Sequence, residues 1–119
     1  MIYGIGTDLL DLERIRHWLE DHKYISRILS KEEIEFFQSI NSLERKLTYL
    51  GGRFAAKEAI FKAMSHTENH TNFNDLCILN DSHGKPYLKS HPFDSNFSFI
   101  ISISHTEKQA IAFVICERV

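Results

Sequence analysis

The chain is poor in the residues that mark secreted, fibrous or membrane proteins. Its 119 residues include two cysteines, two prolines and one tryptophan. Cys77 and Cys116 stand far apart, each inside an apolar run, with no CxxC pair and no zinc spacing built on them. They read as buried thiols, which excludes a disulfide framework. Positive charge is not in excess either: the formal net charge is −2. A global basic field for nucleic acid is therefore absent, and any anion site must come from local clustering. No apolar run approaches the roughly 20 residues needed to span a membrane. The opening MIYGIGTDLL lacks a basic start and a long apolar stretch, so no signal peptide is expected and a cytoplasmic location is the default.

What remains is a chain with 43% hydrophobic residues and nine phenylalanines. That suffices for one core and is too little for two, so a single domain over residues 1–119 is expected. The alternating, β-favouring stretch at 2–8 predicts a strand, with Gly4 and Gly6 leaving room for close backbone approach. Asp11 then looks like the N-cap of a helix over 11–21, with Leu12, Ile15 and Leu19 as its buried stripe. Ser30 and Glu33 form a capping box ahead of a short helix over 31–38. The longest helix is predicted over 43–64, with Leu43, Leu47, Leu50, Phe54 and Phe61 at helical spacing. Gly51 and Gly52 interrupt it and call for close packing or a bend. After a polar loop over 65–72 come a strand-like stretch over 73–80, a turn at DSHGKP, and two strands over 97–104 and 110–116 forming a hairpin. One strand, then helices, then strands argues for an α+β fold.

The long helix raises a question of charge. With Leu43 at zero and about 100° per residue, Lys57 falls near −40° and Glu58 near 60°, inside or at the edge of the apolar face. Spacing leaves two readings open. Lys57 could snorkel while Glu58 pairs with Lys62 at i+4, or Glu58 could stand at a pocket rim as a ligand, since a carboxylate near buried surface needs a partner or a metal. Asp8 and His105 are equally ambiguous as turn or capping residues. His66 and His70 have i,i+4 metal-ligand spacing in a weakly helical segment. The last strand carries Ile111, Phe113 and Ile115 on one face and Ala112 and Val114 on the other. Both faces of the hairpin then need cover, which suggests burial against further copies of the chain.

Taken together, GIGTDLLDLERI, GRFAAKEAIFKAM, GKPYL and SISHTEKQAIAFVICE resemble the holo-acyl-carrier-protein synthases, the small homotrimeric type of 4′-phosphopantetheinyl transferase. The resemblance spans almost the whole chain, and the combination is specific where each piece alone would be weak. It implies helices packed on an antiparallel sheet and a trimer formed through that sheet, with active sites at subunit interfaces. It also implies transfer of the phosphopantetheine arm of coenzyme A to a serine of an acidic apo acyl carrier protein, in support of fatty acid biosynthesis. Nothing in the resemblance points to nucleic acid or to a membrane.

By the same resemblance, Asp8 and Glu58 match magnesium-binding positions, and Lys62 a pyrophosphate-contacting lysine. Asp8, Glu58, Lys62 and His105 are the implied catalytic set. His105 with Thr106, Arg45 and Arg53, and Gly84 with Pro86 of the GKP turn, are implied coenzyme A contacts. Arg14, Arg16 and Lys23, with Arg27 nearby, are the basic residues expected to meet the carrier protein. Glu58 and a metal-bound water near Asp8 are the two candidate acceptors of the serine proton, and the motif does not choose between them. Family members usually follow the KEA helix with a Gly-rich turn, whereas here the stretch is MSHTENHTNF. In its place His66 and His70 are candidate phosphate contacts. The alternative function is a catalytically silent coenzyme A-binding paralogue or scaffold, for which the Gly-poor stretch would be the mark.

Overall fold

The computed structural model describes residues 1–64 and 71–119. Three antiparallel strands form the main sheet: β1 (Ile2–Asp11), β4 (Phe97–His105) and β5 (Gln109–Arg118), in the order β1-β5-β4. A second, two-stranded sheet pairs β2 (Cys77–Asn80) with β3 (Pro86–Ser90). The helices are α1 (His22–Ile28), α2 (Lys31–Ser39) and α3 (Leu43–Ala63). A 3-10 segment at Leu12–Glu20 joins β1 to α1, and a short one at Phe73–Asp75 precedes β2. The architecture is α+β, as the order of sequence patterns predicts. None of the described helices is long and apolar enough to cross a membrane.

The main sheet has two different faces. Gly4, Gly6, Asp8 and Leu10 of β1 stand opposite Cys116, Val114, Ala112 and Ala110 of β5, and on this inner face α3 packs across β1 and β5. The outer face carries Ile5, Thr7 and Leu9 opposite Ile115, Phe113 and Ile111. Because side chains alternate along a strand, Asp8 is the one acidic residue of β1 forced towards the helix. The contact is very close: a Cβ on Gly6 would lie 1.8 Å from the Ala59 carbonyl oxygen, and one on Gly4 would lie 2.1 Å from that of Ala63. The expected close approach therefore occurs, and it is set by small residues on both sides, since Ala55, Ala56, Ala59 and Ala63 are all buried in α3. Gly51 serves close packing as well: a Cβ there would lie 2.3 Å from Leu12 Cδ2.

Several boundaries differ from the sequence expectation. The first strand runs on to Asp11 rather than ending at Asp8, because Leu12 N–H still donates to the Lys108 carbonyl at 2.9 Å. Asp11 does not cap a helix; its Oδ1 accepts from Gln109 Nε2 at 2.9 Å instead. The segment that follows is a 3-10 helix rather than an α-helix. Leu12, Ile15 and Trp18 are spaced by three, which a 3-10 helix aligns on one edge. Asp21 then caps a helix that the pattern did not reveal, α1, by accepting from Lys23 N at 3.0 Å. The strand expected over 73–80 is a 3-10 turn and a short β2, and its partner β3 was not foreseen. Gly84, at φ +82°, makes the turn between them. The capping box of α2 and the span of α3 agree with expectation. Cys77 and Cys116 are free and buried.

Candidate active site

The pleat of β1 aims Asp8 at α3, and Lys62 meets it there. Lys62 Nζ donates to Asp8 Oδ1 at 3.2 Å and to the Thr7 carbonyl at 2.9 Å. The i,i+4 pair of Glu58 with Lys62 is therefore not the arrangement adopted. Glu58, one turn earlier on α3, shares with Asp8 a cavity of about 270 Å³ whose walls include Arg14, Ile15, Trp18 and Phe54. Burial in this apolar surround raises the proton affinity of Glu58, and the Asp8 charge raises it further; Lys62 works against both. Two carboxylates facing one small cavity repel each other unless a cation or proton comes between them.

That donor set can be tested against a metal. Among the described residues there is no cluster of three or more His, Cys, Asp or Glu that could hold an ion. Asp8 and Glu58 supply two carboxylates and no nitrogen or sulfur. Such a site is unsuited to zinc. It suits magnesium, a hard ion that commonly takes one or two carboxylates and fills its other positions with water and substrate phosphate.

A second group of expected residues lies elsewhere on the chain. Arg45 and His105 line two adjoining clefts. One, of about 240 Å³, also holds Tyr49, Arg53 and Asn80. The other, of about 780 Å³, also holds Thr48, Thr106 and Lys108. Arg53 is buried and fixed: its Nε donates to the Ile78 carbonyl at 3.2 Å, its Nη2 to Asn80 Oδ1 at 2.9 Å, and its guanidinium lies 4.6 Å from the Tyr49 ring centroid. Pro86 pairs with Asn80 across the β2–β3 ladder, close to this cleft, whereas Gly84 is exposed at the hairpin tip. Neither cleft includes Asp8 or Glu58 among its walls. Within the chain the expected residues thus form two separate groups rather than one.

Of the basic residues, Arg14 is exposed on the 3-10 segment and lines the Asp8–Glu58 cavity. Arg16 is committed within the chain, to Glu13 at 2.8 Å and Glu44 at 3.0 Å. Lys23 and Arg27 are exposed on α1. His66 and His70 lie outside the described residues.

Lys57 does not snorkel. It is fully buried and paired at 2.5 Å with Glu33, which is fully buried too. Burial holds the Lys57 ammonium below the usual lysine range, against the opposing pull of Glu33. Sequence reasoning identified Glu33 as a capping residue and missed this second role. It also missed Trp18 and Phe54 as cavity walls and Asn80 as the anchor of Arg53. For Trp18 a signal existed in the spacing of three from Leu12 and Ile15.

The family model of the 4′-phosphopantetheinyl transferase superfamily matches residues 4–114. The holo-[acyl-carrier-protein] synthase of Acholeplasma laidlawii is 46% identical over 98% of this chain and 98% of its own. That of Anoxybacillus flavithermus is 44% identical over 99% of this chain and 98% of its own. The crystal structure of a holo-(acyl-carrier-protein) synthase from Bacillus anthracis in complex with CoA (3′,5′-ADP) matches with a TM-score of 0.88 at 35% identity, covering 100% of this chain and 99% of that one. On these matches the chain belongs to the 4′-phosphopantetheinyl transferase superfamily, in its holo-acyl-carrier-protein synthase family.

Proposed function

We propose that this protein transfers the 4′-phosphopantetheine arm of coenzyme A to a serine of apo acyl carrier protein. The products are holo acyl carrier protein and adenosine 3′,5′-bisphosphate, and the reaction serves fatty acid biosynthesis in the cytoplasm. Beyond membership of the family, the observation that carries the reading is the pair of carboxylates, Asp8 and Glu58, facing one cavity with Lys62 on Asp8. The serine oxygen forms a bond to the phosphorus that bears the pantetheine arm. The bond from that phosphorus to the bridging oxygen of the pyrophosphate breaks, and its electron pair leaves with the nucleotide. Glu58, which faces the cavity beside Asp8, accepts the serine proton. Lys62 meets the pyrophosphate and offsets its charge. Asp8 and Glu58 would hold Mg2+, which when bound supplies charge neutralisation at the pyrophosphate oxygens.

Residues 1–119 act as one transferase domain. The expected coenzyme A contacts lie apart from Asp8 and Glu58 on the chain, which supports an assembly in which one protomer contributes Asp8, Glu58 and Lys62 while a neighbour contributes Arg45, Arg53, His105 and Thr106, with Pro86 beside them and Gly84 further out at the hairpin tip. The outer face of the main sheet supports the same reading. Ile5, Leu9, Ile100, Ile111 and Phe113 are each more than 40% exposed on it, a patch suited to burial against further copies. A homotrimer is the expected state, and a monomer in light scattering at micromolar concentration would contradict it. Arg14, at the cavity rim, and Lys23 would meet the acidic carrier, with Arg16 available once released from Glu13 and Glu44. Arg14→Glu should raise the KM for carrier protein more than that for coenzyme A.

The deciding experiment incubates the protein with apo acyl carrier protein, coenzyme A and Mg2+, then weighs the carrier by mass spectrometry. The reading expects the mass of one phosphopantetheine arm to be gained, and the gain to vanish with chelator. No gain with any acidic carrier supplied would favour a silent coenzyme A-binding paralogue.

A further inference from the structure

Lys57 stands beside Glu58 in the sequence but faces away from the cavity, and the transfer chemistry does not use it. Its surroundings are a buried, hydrogen-bonded polar cluster. Lys57 Nζ donates to Glu33 Oε1 at 2.5 Å and to the Ile28 carbonyl at 2.7 Å. Glu33 Oε1 also accepts from Ser30 N at 2.7 Å, and its Oε2 accepts from Ile78 N at 2.9 Å. One ammonium thus joins α3 to the end of α1, the cap and first turn of α2, and β2. Burying such a pair is not a reliable source of stability, because apolar residues of like volume often do as well. What a buried, hydrogen-bonded pair supplies and an apolar contact does not is direction.

Arg53, one turn earlier, also ties α3 to β2 through the Ile78 carbonyl and Asn80, but the anchor next to Glu58 is the Lys57 pair. The helix presents Ala59 and Ala63 to Gly6 and Gly4 of β1, and Ala55 and Ala56 are buried as well. Small residues allow close approach but form shallow ridges, so they resist rotation of the helix about its own axis weakly. Glu58 follows Lys57 by about 100° around that axis. A small rotation of α3 would swing the Glu58 carboxylate relative to Asp8, which is fixed in β1. We propose that Lys57 and Glu33 are positioning residues: the Lys57 anchor sets the rotation of α3, and so sets the separation of the Asp8 and Glu58 carboxylates that receive the divalent cation. The inference rests on the metal-assisted transfer proposed above.

Direct cation binding tests it without relying on turnover. Mn2+, which shares the octahedral oxygen preference of Mg2+, is titrated into the intact protein with coenzyme A present and followed by electron paramagnetic resonance. Lys57→Met is compared with the parent and with Phe93→Ala, a core change remote from the cavity. A positioning role predicts that Lys57→Met binds Mn2+ roughly tenfold or more weakly, while Phe93→Ala stays within about twofold of the parent. A purely structural role predicts that the two variants behave alike, and parent-like Mn2+ affinity in Lys57→Met overturns the inference. Should Lys57→Met fail to fold, the neutral double variant Glu33→Gln with Lys57→Met removes the anchor without leaving a buried charge. It should show the same loss, and parent-like affinity there would be equally fatal. If the parent itself binds no Mn2+ in the presence of coenzyme A, the metal-assisted reading fails, and this inference fails with it.

Discussion

Lys57 and Glu58 are neighbours on one helix, yet the protein treats their charges in opposite ways. Lys57 is sealed from water, and its ammonium faces a carboxylate and a carbonyl that are fixed by three other elements. Glu58 is half-buried, faces a second carboxylate across a cavity, and holds no hydrogen bond among the described residues, because Lys62 is committed to Thr7 and Asp8. A fully paired charge has nothing left to offer a ligand, and its contribution is geometric. An under-paired carboxylate keeps its lone pairs, at a cost in electrostatic strain, and can give them to a cation or a proton. On the proposed function, the dissatisfied side of the helix carries the chemistry and the satisfied side its support.

Breaking the satisfied side should have the largest effect on stability. Lys57→Met leaves Glu33 buried without its counter-charge, and such changes cost about 3–5 kcal/mol. Chemical denaturation should show that loss, and adding Glu33→Gln should recover most of it. A single variant as stable as the parent would mean that the pair is not the anchor described. Breaking the other side should leave folding nearly intact and remove chemistry. Asp8→Ala takes away one of two carboxylates and the partner of Lys62, and should lower the transfer rate by roughly 10²–10³-fold, as for other electrostatic groups acting on a transition state. Retained activity at saturating Mg2+ would remove Asp8 from the site. Between the two sides lies the glycine contact. In Gly6→Ala the new methyl would meet the Ala59 carbonyl oxygen at 1.8 Å, so β1 and α3 must separate. Overpacking of this kind costs about 1–3 kcal/mol, and activity should fall by more than that stability loss explains, because Asp8 moves with β1.

The sequence made one side of this contrast far more readable than the other. Helical spacing fixed α3 to within a residue, and the serine and glutamate of a capping box marked α2. Gly4 and Gly6 announced a close approach before its partner was known. The motif set then supplied Asp8, Glu58 and Lys62, and β1 and α3 do bring these three together. Glu33 was hidden because one role masked another: a capping-box glutamate already has an explanation, and nothing local shows that it is buried beneath a helix 24 residues further on. Lys57 looked like a snorkelling lysine because periodicity gives an angle and not a depth. The 3-10 segment was obscured because Leu12 and Ile15 fit a period of three as well as one of 3.6. The division of the expected residues into two separate groups depends on how β4 and the β2–β3 hairpin are placed around α3, which no local pattern records.

The smallest predicted effect is the most diagnostic of an under-paired carboxylate. Because burial and Asp8 raise the proton affinity of Glu58, the folded protein holds that proton more tightly than the unfolded chain does. Stability therefore falls as pH rises from the ordinary value of 4.5 through the raised folded value. Above that window the full penalty is present, and below it the penalty is absent. Glu58→Gln removes a charge that the fold disfavours, so it should stabilise the protein slightly at pH 7, seen as a higher urea midpoint. The gain should fade as pH is lowered towards the ordinary glutamate value. Urea denaturation of both proteins at pH 7 and at pH 4 measures it, and an equal difference at the two values would show that Glu58 is not strained. Saturating Mg2+ and coenzyme A should reverse the order at pH 7, because ligands that bind the folded parent stabilise it, while the variant has lost one of the two carboxylates that would hold the cation.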